Sequence, residues 1–304
     1  MDYPRDIENS GPFEARYLAF LETITQLRPR LHRYCSRMTG SVLDGEDIVQ
    51  DTLFEAYRKL DQYDDSRPLA PWLFRIAHNR AIDFLRRRGV RIDAETTAME
   101  PESVPAAEPA VLGVGRAVEQ LVMILPPKER ACVLLKDIFD YTLEEIAELV
   151  SSTVGGVKAA LNRGRSKLAA SLDPVPQQRV VSPELSRLLH LYVDGFNKRD
   201  WDGLRELISA DARLLVADRF SGSMDESPYF GQYARQAASW RMAVAEVDGE
   251  LVVVAMRFHE NGWRPDSAVR VEVVDGRVAR IVDYAHCPWV LQAASSVVVG
   301  GVDV

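Results

Sequence analysis

The sequence has little of what a disulfide-bonded, metal-binding or membrane-spanning protein needs. Its three cysteines, Cys35, Cys132 and Cys287, lie far apart and form an odd set. They make neither a disulfide framework nor a metal-ligand spacing, so no metal and no cofactor are expected. No apolar run reaches the ~18–20 residues of a membrane span, and the N-terminus carries no basic and apolar leader. These absences predict a cytoplasmic protein with no membrane partner. Positive charge is also short overall: the net charge is −8, the wrong sign for a surface uniformly attractive to nucleic acid.

The charge is unevenly distributed, however. From Arg67 to Arg91 there are seven arginines against one acid, Asp83, and from Ile92 to Glu119 six acids against Arg116. Only local patches touch phosphate, so this segregation keeps nucleic acid in view. The 304 residues, 47% hydrophobic and 27% charged, suffice for two or three globular domains.

The stretch from Leu125 to Leu168 reads as two short helices around a polar turn. Thr142 and Glu145 have the spacing of a capping box, so a helix should start at Leu143, with Ile146, Ala147 and Val150 on its apolar side. Thr153 is a plausible N-cap for a second helix. There Val157, Leu161 and Leu168 share one face, and Lys158, Asn162, Arg163 and Arg165 occupy another. A helix packed by one face, with cations and an amide on the other, suits the DNA major groove. An ordinary helical hairpin with a solvated basic face fits the same residues.

Upstream, residues 1–16 carry no period and predict a loose start. Tyr17 to Met38 reads as an amphipathic helix that Pro29 should break or kink. Asp44 to Leu60 is a second helix, with Val49, Leu53, Ala56, Tyr57 and Leu60 inward and Asp47, Gln50, Asp51 and Glu55 outward. Gln62 to Pro71 is a turn-rich loop. Trp72 to about Arg88 is a third helix carrying Arg75, Arg80, Arg86, Arg87 and Arg88, with His78 and Asn79 as candidate base contacts. A cation-rich helix end complements the dipole, which accounts for Arg86 to Arg88 but not for Arg75 or Arg80. Residues 92–115 have the composition of an acidic linker, and Lys128 to Asp137 resumes a helix.

Residues 17–172 resemble a small bacterial sigma factor of the extracytoplasmic-function group. The resemblance rests on the segments Asp47–Tyr57, Pro71–Arg88 and Leu125–Arg130 and on the helix-turn-helix. It implies two all-α domains: sigma region two over residues 17–91 and a region-four helix-turn-helix over 116–172, joined by the linker. It further implies that Asp47, Gln50, Asp51 and Glu55 dock on core RNA polymerase. Arg75, His78, Asn79, Arg80, Arg86, Arg87 and Arg88, with the Asp64–Leu69 loop, would meet the minus-ten promoter element. Lys158, Asn162, Arg163 and Arg165 would meet the minus-thirty-five element. The Gly155-Gly156 pair departs from the pattern and should weaken the helix start by roughly 1 kcal/mol per glycine.

Beyond Leu172 a further segment follows. Leu185–Asn197 and Trp201–Ile208 read as helices. The period then changes to two over Arg213–Ala217, Trp240–Val247, Leu251–Phe258, Ala268–Val274 and Val278–Tyr284, punctuated by Asp248-Gly249, Asn261-Gly262 and Asp275-Gly276. Helices followed by a curled meander make an α+β cone over residues 180–296. Tyr192–Trp201 resembles the opening of the SnoaL-like, polyketide-cyclase fold, which hosts enzymes and inert binding modules alike. Asp218, Trp240, His259, Asp283 and His286 are the candidate pocket residues for a small-molecule ligand.

These features predict a non-enzymatic promoter-specificity subunit whose partners are core RNA polymerase and promoter DNA, with a fused tail that regulates it. The alternatives are a one-component DNA-binding regulator that senses a small molecule, and a cyclase- or isomerase-type enzyme. A plain repressor needs neither Asp47–Tyr57 nor Trp72–Arg88.

Overall fold

The structure is a computed structural model that describes residues 12–64, 66–88, 124–170, 182–217, 219–225, 227–236, 239–260 and 262–300. The chain divides into two compact units, a helical one of Met1–Gly40 and Asp44–Pro174 and an α+β one of Val175–Val304, with which Ser41–Leu43 are grouped. The 92–115 linker, residues 1–11 of the expected loose start, and Asp218 lie outside the described residues.

In the helical unit, α1 spans Pro12–Thr39, α2 Val42–Arg58 and α3 Leu69–Arg87. Helix α1 runs without a break through Pro29 and already includes residues 12–16, contrary to both expectations. A proline removes one backbone donor and crowds the preceding turn, a local cost that packing of the whole helix outweighs here. Leu31, Tyr34 and Met38 on α1 are fully buried, as are Leu73 and Phe74 on α3. Each such side chain contributes about 1.5–3 kcal/mol. Tyr57, expected inward, is exposed on α2, where its ring meets Tyr17 edge-on at 5.5 Å.

After the linker, α4 covers Pro127–Val133 and widens into a π turn over Leu134–Ile138. The expected continuous helix to Asp137 is thus interrupted. Helix α5, Leu143–Leu149, opens on the capping box: Thr142 Oγ1 accepts from Glu145 N, and Thr142 N donates to the Glu145 carboxylate at 2.7 Å. Helix α6, Val154–Ala170, starts where Thr153 Oγ1 accepts from Gly156 N at 3.0 Å. Phe139 and Tyr141 pack edge-on and tilted against Phe74, 5.8 and 5.6 Å between centroids, so the two helical modules share one core.

In the second unit, α7 (Pro183–Lys198) and α8 (Trp201–Glu206) precede β1 (Ile208–Val216) and β2 (Phe220–Ser223). Helix α9 (Tyr229–Ala234) then leads to β3 (Trp240–Val247), β4 (Glu250–His259), β5 (Gly262–Val274) and β6 (Arg277–Asp283). A short α10 (Trp289–Ala293) and β7 (Val297–Val299) close the described chain. The sheet order is β2-β1-β6-β5-β4-β3-β7, antiparallel except for β1 with β6. Helices α7 to α9 cover one face, where Met242, Val244, Val253, Val269 and Ile281 are buried.

Asp248-Gly249 and Asp275-Gly276 have left-handed φ at both residues, the requirement of a tight type I′ hairpin. Strands β2 and β7 and helix α9 escaped the sequence reading because they are too short to show a period. Near the end of α7, Asn197 pairs with β3 through both its amide groups, donating to Met242 O at 2.9 Å and accepting from Met242 N at 2.8 Å. That satisfies strand backbone which would otherwise lack partners.

Helices α1 and α2 touch most closely at Gly45, where an added Cβ would lie 2.6 Å from the Ser36 backbone nitrogen. Backbone cannot yield as a side-chain tip can. Gly45→Ala is expected to destabilise the helical unit by about 1–3 kcal/mol, read as a lowered denaturant midpoint. An unchanged midpoint would show that the two helices separate freely.

Candidate nucleic-acid and partner interfaces

Helix α2 turns Asp51 fully outward and leaves Asp47 and Gln50 half-buried. Phe54, which the sequence reading missed, is 64% exposed in the next turn after Asp51 and forms with Tyr57 an apolar margin to the acidic face. An exposed phenylalanine in an apolar–polar repeat is the signal that was available for it. Glu55 is engaged within the chain: it accepts from Arg80 Nε at 2.7 Å and pairs with Lys59. Those bonds, Lys59 foremost and then Arg80, hold its carboxyl below the usual range.

The predicted minus-ten residues divide. Arg75, Asn79, Arg86 and Arg87 are exposed on α3, and Arg75 has no ion-pair partner among the described residues. Arg80 is tied to Glu55 and Arg88 to the buried Asp44 at 2.7 Å. His78 does not belong with them in this structure. Its ring is buried, and Nδ1 lies 2.8 Å from the Tyr34 hydroxyl. The helical period carries position 78 to the core side, beside Phe74 and Leu85.

The loop before α3 is preshaped. Asp64 Oδ1 accepts from Ser66 N at 3.0 Å and from Ser66 Oγ at 2.7 Å, and Tyr63 stacks against Trp72 at 4.7 Å between centroids. The Ser66 bonds lower the Asp64 pKa.

On α6, Lys158 and Asn162 are exposed with no hydrogen-bond partner among the described residues. Arg163 and Arg165 are partnered. Glu129 of α4, nearly buried, accepts from Arg163 Nε at 2.9 Å and from Lys167 Nζ at 2.8 Å. Asp137 of the π turn accepts from Arg165 Nε at 3.1 Å and also from its Nη2. Gly164 lets α6 approach α4, since a Cβ there would come 2.9 Å from Val133 Cγ2. The weak start expected from Gly155-Gly156 is offset by the Thr153 cap.

Comparison with known proteins agrees with this layout. The Sigma-70 region 2 family matches residues 23–91, and the Sigma-70 region 4 family matches residues 115–168. The ECF RNA polymerase sigma factor SigW of Bacillus subtilis is 31% identical over 166 residues, which cover 51% of this chain and 89% of SigW. The chain belongs to the extracytoplasmic-function sigma factors. SigG of Mycobacterium tuberculosis is 30% identical to this sigma factor over 236 residues, 67% of this chain and 64% of SigG. Among solved structures, the M. tuberculosis sigma factor SigJ covers 88% of this sigma factor and 97% of its own chain, at 20% identity and a TM-score of 0.35.

Of the tail residues predicted from sequence, His286 lies close enough to Asp283 to act on its charge, and Trp240 packs on the Tyr233 ring that bonds Asp283, but His259 stands apart. Trp240 is a buried wall of the aromatic core, whereas His259 and His286 are exposed. His259 lies six residues along β4 from Val253, whose register passes through Val269 to Asp283. That puts it roughly 20 Å from Asp283 at strand rise. Pairing across a sheet, which sequence does not display, decides this.

Asp283 instead gathers tyrosines. Its Oδ2 accepts from the Tyr233 hydroxyl at 2.7 Å and its Oδ1 from Ala285 N at 2.8 Å. Burial raises its pKa, and the Tyr233 hydroxyl opposes that shift. Burial, reinforced by the nearby Asp283, pushes Tyr229 and Tyr233 well up. The Tyr192 and Tyr229 hydroxyls lie close together, yet neither makes a well-formed hydrogen bond among the described residues.

Burial lowers the His78 pKa from its ordinary 6.5 to about 4. Between those values the unfolded chain takes up a proton that the native one refuses. Stability is therefore expected to fall on acidification through that window, by ~1.4 kcal/mol per pH unit. Denaturant titrations at pH 6.5 and 4.5 test this against His78→Gln, which should lack that component of the slope. Equal slopes would place the ring in contact with solvent.

Proposed function

We propose that this sigma factor docks on core RNA polymerase through α2 and reads its promoter through α3 and α6, with the C-terminal unit regulating it in cis. Residues 17–91 would serve core binding and the minus-ten element, 116–172 the minus-thirty-five element, and 180–296 regulation. The carrying observation is the pairing of an α2 face that exposes Asp51, Phe54 and Tyr57 with separate exposed cations on α3 and α6. A polymerase-docking protein needs the first, and a promoter reader needs the second. Core binding is assigned to Asp47, Gln50, Asp51 and Glu55, with Phe54 and Tyr57 added. No helix among the described residues is long and apolar enough to cross a membrane, in keeping with work at the chromosome.

Run-off transcription with purified core polymerase tests this. The full chain should give promoter-dependent transcript, and its yield relative to residues 1–174 gives the sign of tail regulation. Asp51→Lys is expected to reduce core affinity at least tenfold, about 1.4 kcal/mol, with its unfolding curve unchanged. Wild-type affinity in that variant would move the docking surface elsewhere.

A small-molecule role for the tail is favoured by the buried Tyr192 and Tyr229 hydroxyls beside Asp283, which lie near these neighbours without well-formed hydrogen-bond geometry. Buried hydroxyls normally find partners, and a ligand with an acceptor oxygen would supply one. In the ligand-free chain Tyr192→Phe removes an unsatisfied buried group and is expected to stabilise by about 1 kcal/mol. Destabilisation, seen as a lower midpoint in urea, would mean that the fold already satisfies the hydroxyl and would count against a ligand there.

A further inference from the structure

Three cations of the reading helix are held by two acids of quite different exposure. The Glu129 side chain is 7% exposed and supports Arg163 and Lys167 from beneath. Those two remain about half exposed, so each presents further donors outward. Asp137 is another matter. Its carboxylate is 37% exposed and engages the Arg165 guanidinium at two nitrogens. That bond raises the Arg165 pKa, so the side chain is a permanent cation.

The position of Asp137 comes from the π turn over Leu134–Ile138, where Phe139 N–H reaches back to Leu134 O at 3.1 Å. One added residue turns the following side chains by about 100° relative to α4. A two-point carboxylate is the same partner in shape as a phosphate or the O6/N7 edge of guanine. Arg165 therefore cannot hold Asp137 and DNA through the same face of its fork.

We propose that Asp137, on the π turn, attenuates the affinity and the sequence discrimination of the promoter-reading helix, occupying Arg165 until correctly matched DNA displaces it. The inference rests on the reading of α6 as the upstream-element helix. On unmatched duplex, freeing Arg165 gains one phosphate contact but leaves an unpaired carboxylate facing the anionic backbone, so the exchange is unfavourable. On matched duplex, Lys158 and Asn162 dock the helix closely enough for Arg165 to gain a partner that outweighs Asp137. The acid thus weakens binding to every sequence, and weakens it most where the match is good, because only there must the Arg165–Asp137 bond be broken.

The test uses holoenzyme assembled from the full chain and core polymerase. Its probes are a duplex selected from a random pool by the wild-type holoenzyme and a scrambled duplex of the same composition. Affinities are read by fluorescence anisotropy from 50 to 200 mM salt. Asp137→Asn is expected to raise affinity for the scrambled duplex about threefold or more at low salt. Its salt slope on that duplex should steepen by ~0.9, the value of one further phosphate contact. Affinity for the selected duplex should rise more, since there the displacement of Asp137 is no longer needed, so the ratio between the two rises.

In an Arg165→Ala background Asp137→Asn should leave the ratio unchanged, because nothing is left to release and only the relief of carboxylate repulsion, equal on both duplexes, remains. Asp137→Glu should keep most of the wild-type ratio. A gain on the selected duplex no greater than on the scrambled one, no gain on either, or a change in ratio that persists without Arg165 would overturn the proposal. Lys158→Ala with Asn162→Ala separates this from the reading beneath it. If that pair leaves selected-duplex affinity unchanged, α6 is not the reader. If it weakens binding while Asp137→Asn is silent, only the role of Asp137 fails.

Discussion

A helix that offers cations to DNA must hold those cations close to one another before any DNA arrives. Their mutual repulsion is the constraint around which the helical unit is arranged. Four acids answer it: Asp44 with Arg88, Glu55 with Arg80, Glu129 with Arg163 and Lys167, and Asp137 with Arg165. Each comes from a different turn or helix from the cation it meets. The pairs tie α2 to α3 and α4 to α6, so the acids that hold these cations also fix helix orientation. Partly exposed pairs of this kind contribute little stability individually. Their weight lies in where they place the guanidinium groups.

Stability comes from the apolar layer beneath. Tyr34, Phe74, Phe139 and Tyr141 meet within 5.6–5.9 Å of one another's ring centroids along the contacts Tyr34–Phe74, Tyr34–Phe139, Phe74–Phe139 and Phe74–Tyr141. Such aromatic contacts add about 0.5–1.5 kcal/mol each beyond the area they bury. Arg130, buried and lowered by desolvation to a pKa of about 10, donates to Met38 O and to Leu125 O. A buried guanidinium tolerates this only while its donors are satisfied. The core that unites the two helical modules is therefore specified by polar geometry as well as by apolar volume.

The C-terminal unit obeys a different economy. Its charged groups are mostly peripheral, and its interior is aromatic: Phe196 contacts Tyr192, Trp201, Tyr229, Phe230, Tyr233 and Trp240. Arg199, in left-handed conformation at the end of α7, lies 3.6 Å over Trp240 and donates to Phe196 O, closing this cluster at one side. Asp283 is the one acid among the described residues that is fully buried in that unit, and three tyrosines surround it.

By itself the sequence determined the features that depend on residues three or four apart, or on alternation by two. The amphipathic stripes of α1 to α3, the Thr142–Glu145 box, the Thr153 cap and the Asp-Gly hairpins are of this kind. So is the separation of basic from acidic segments. Tertiary structure alone decided which of the predicted cations stay open, because Arg165 meets Asp137 and Arg163 meets Glu129 across 28 and 34 residues. It also turned His78 inward, left Phe54 and Tyr57 outward, and set tyrosines against Asp283 while carrying His259 away from it. Local spacing fixes which face of an element a residue occupies. Only the packing of one element on another fixes what that face meets.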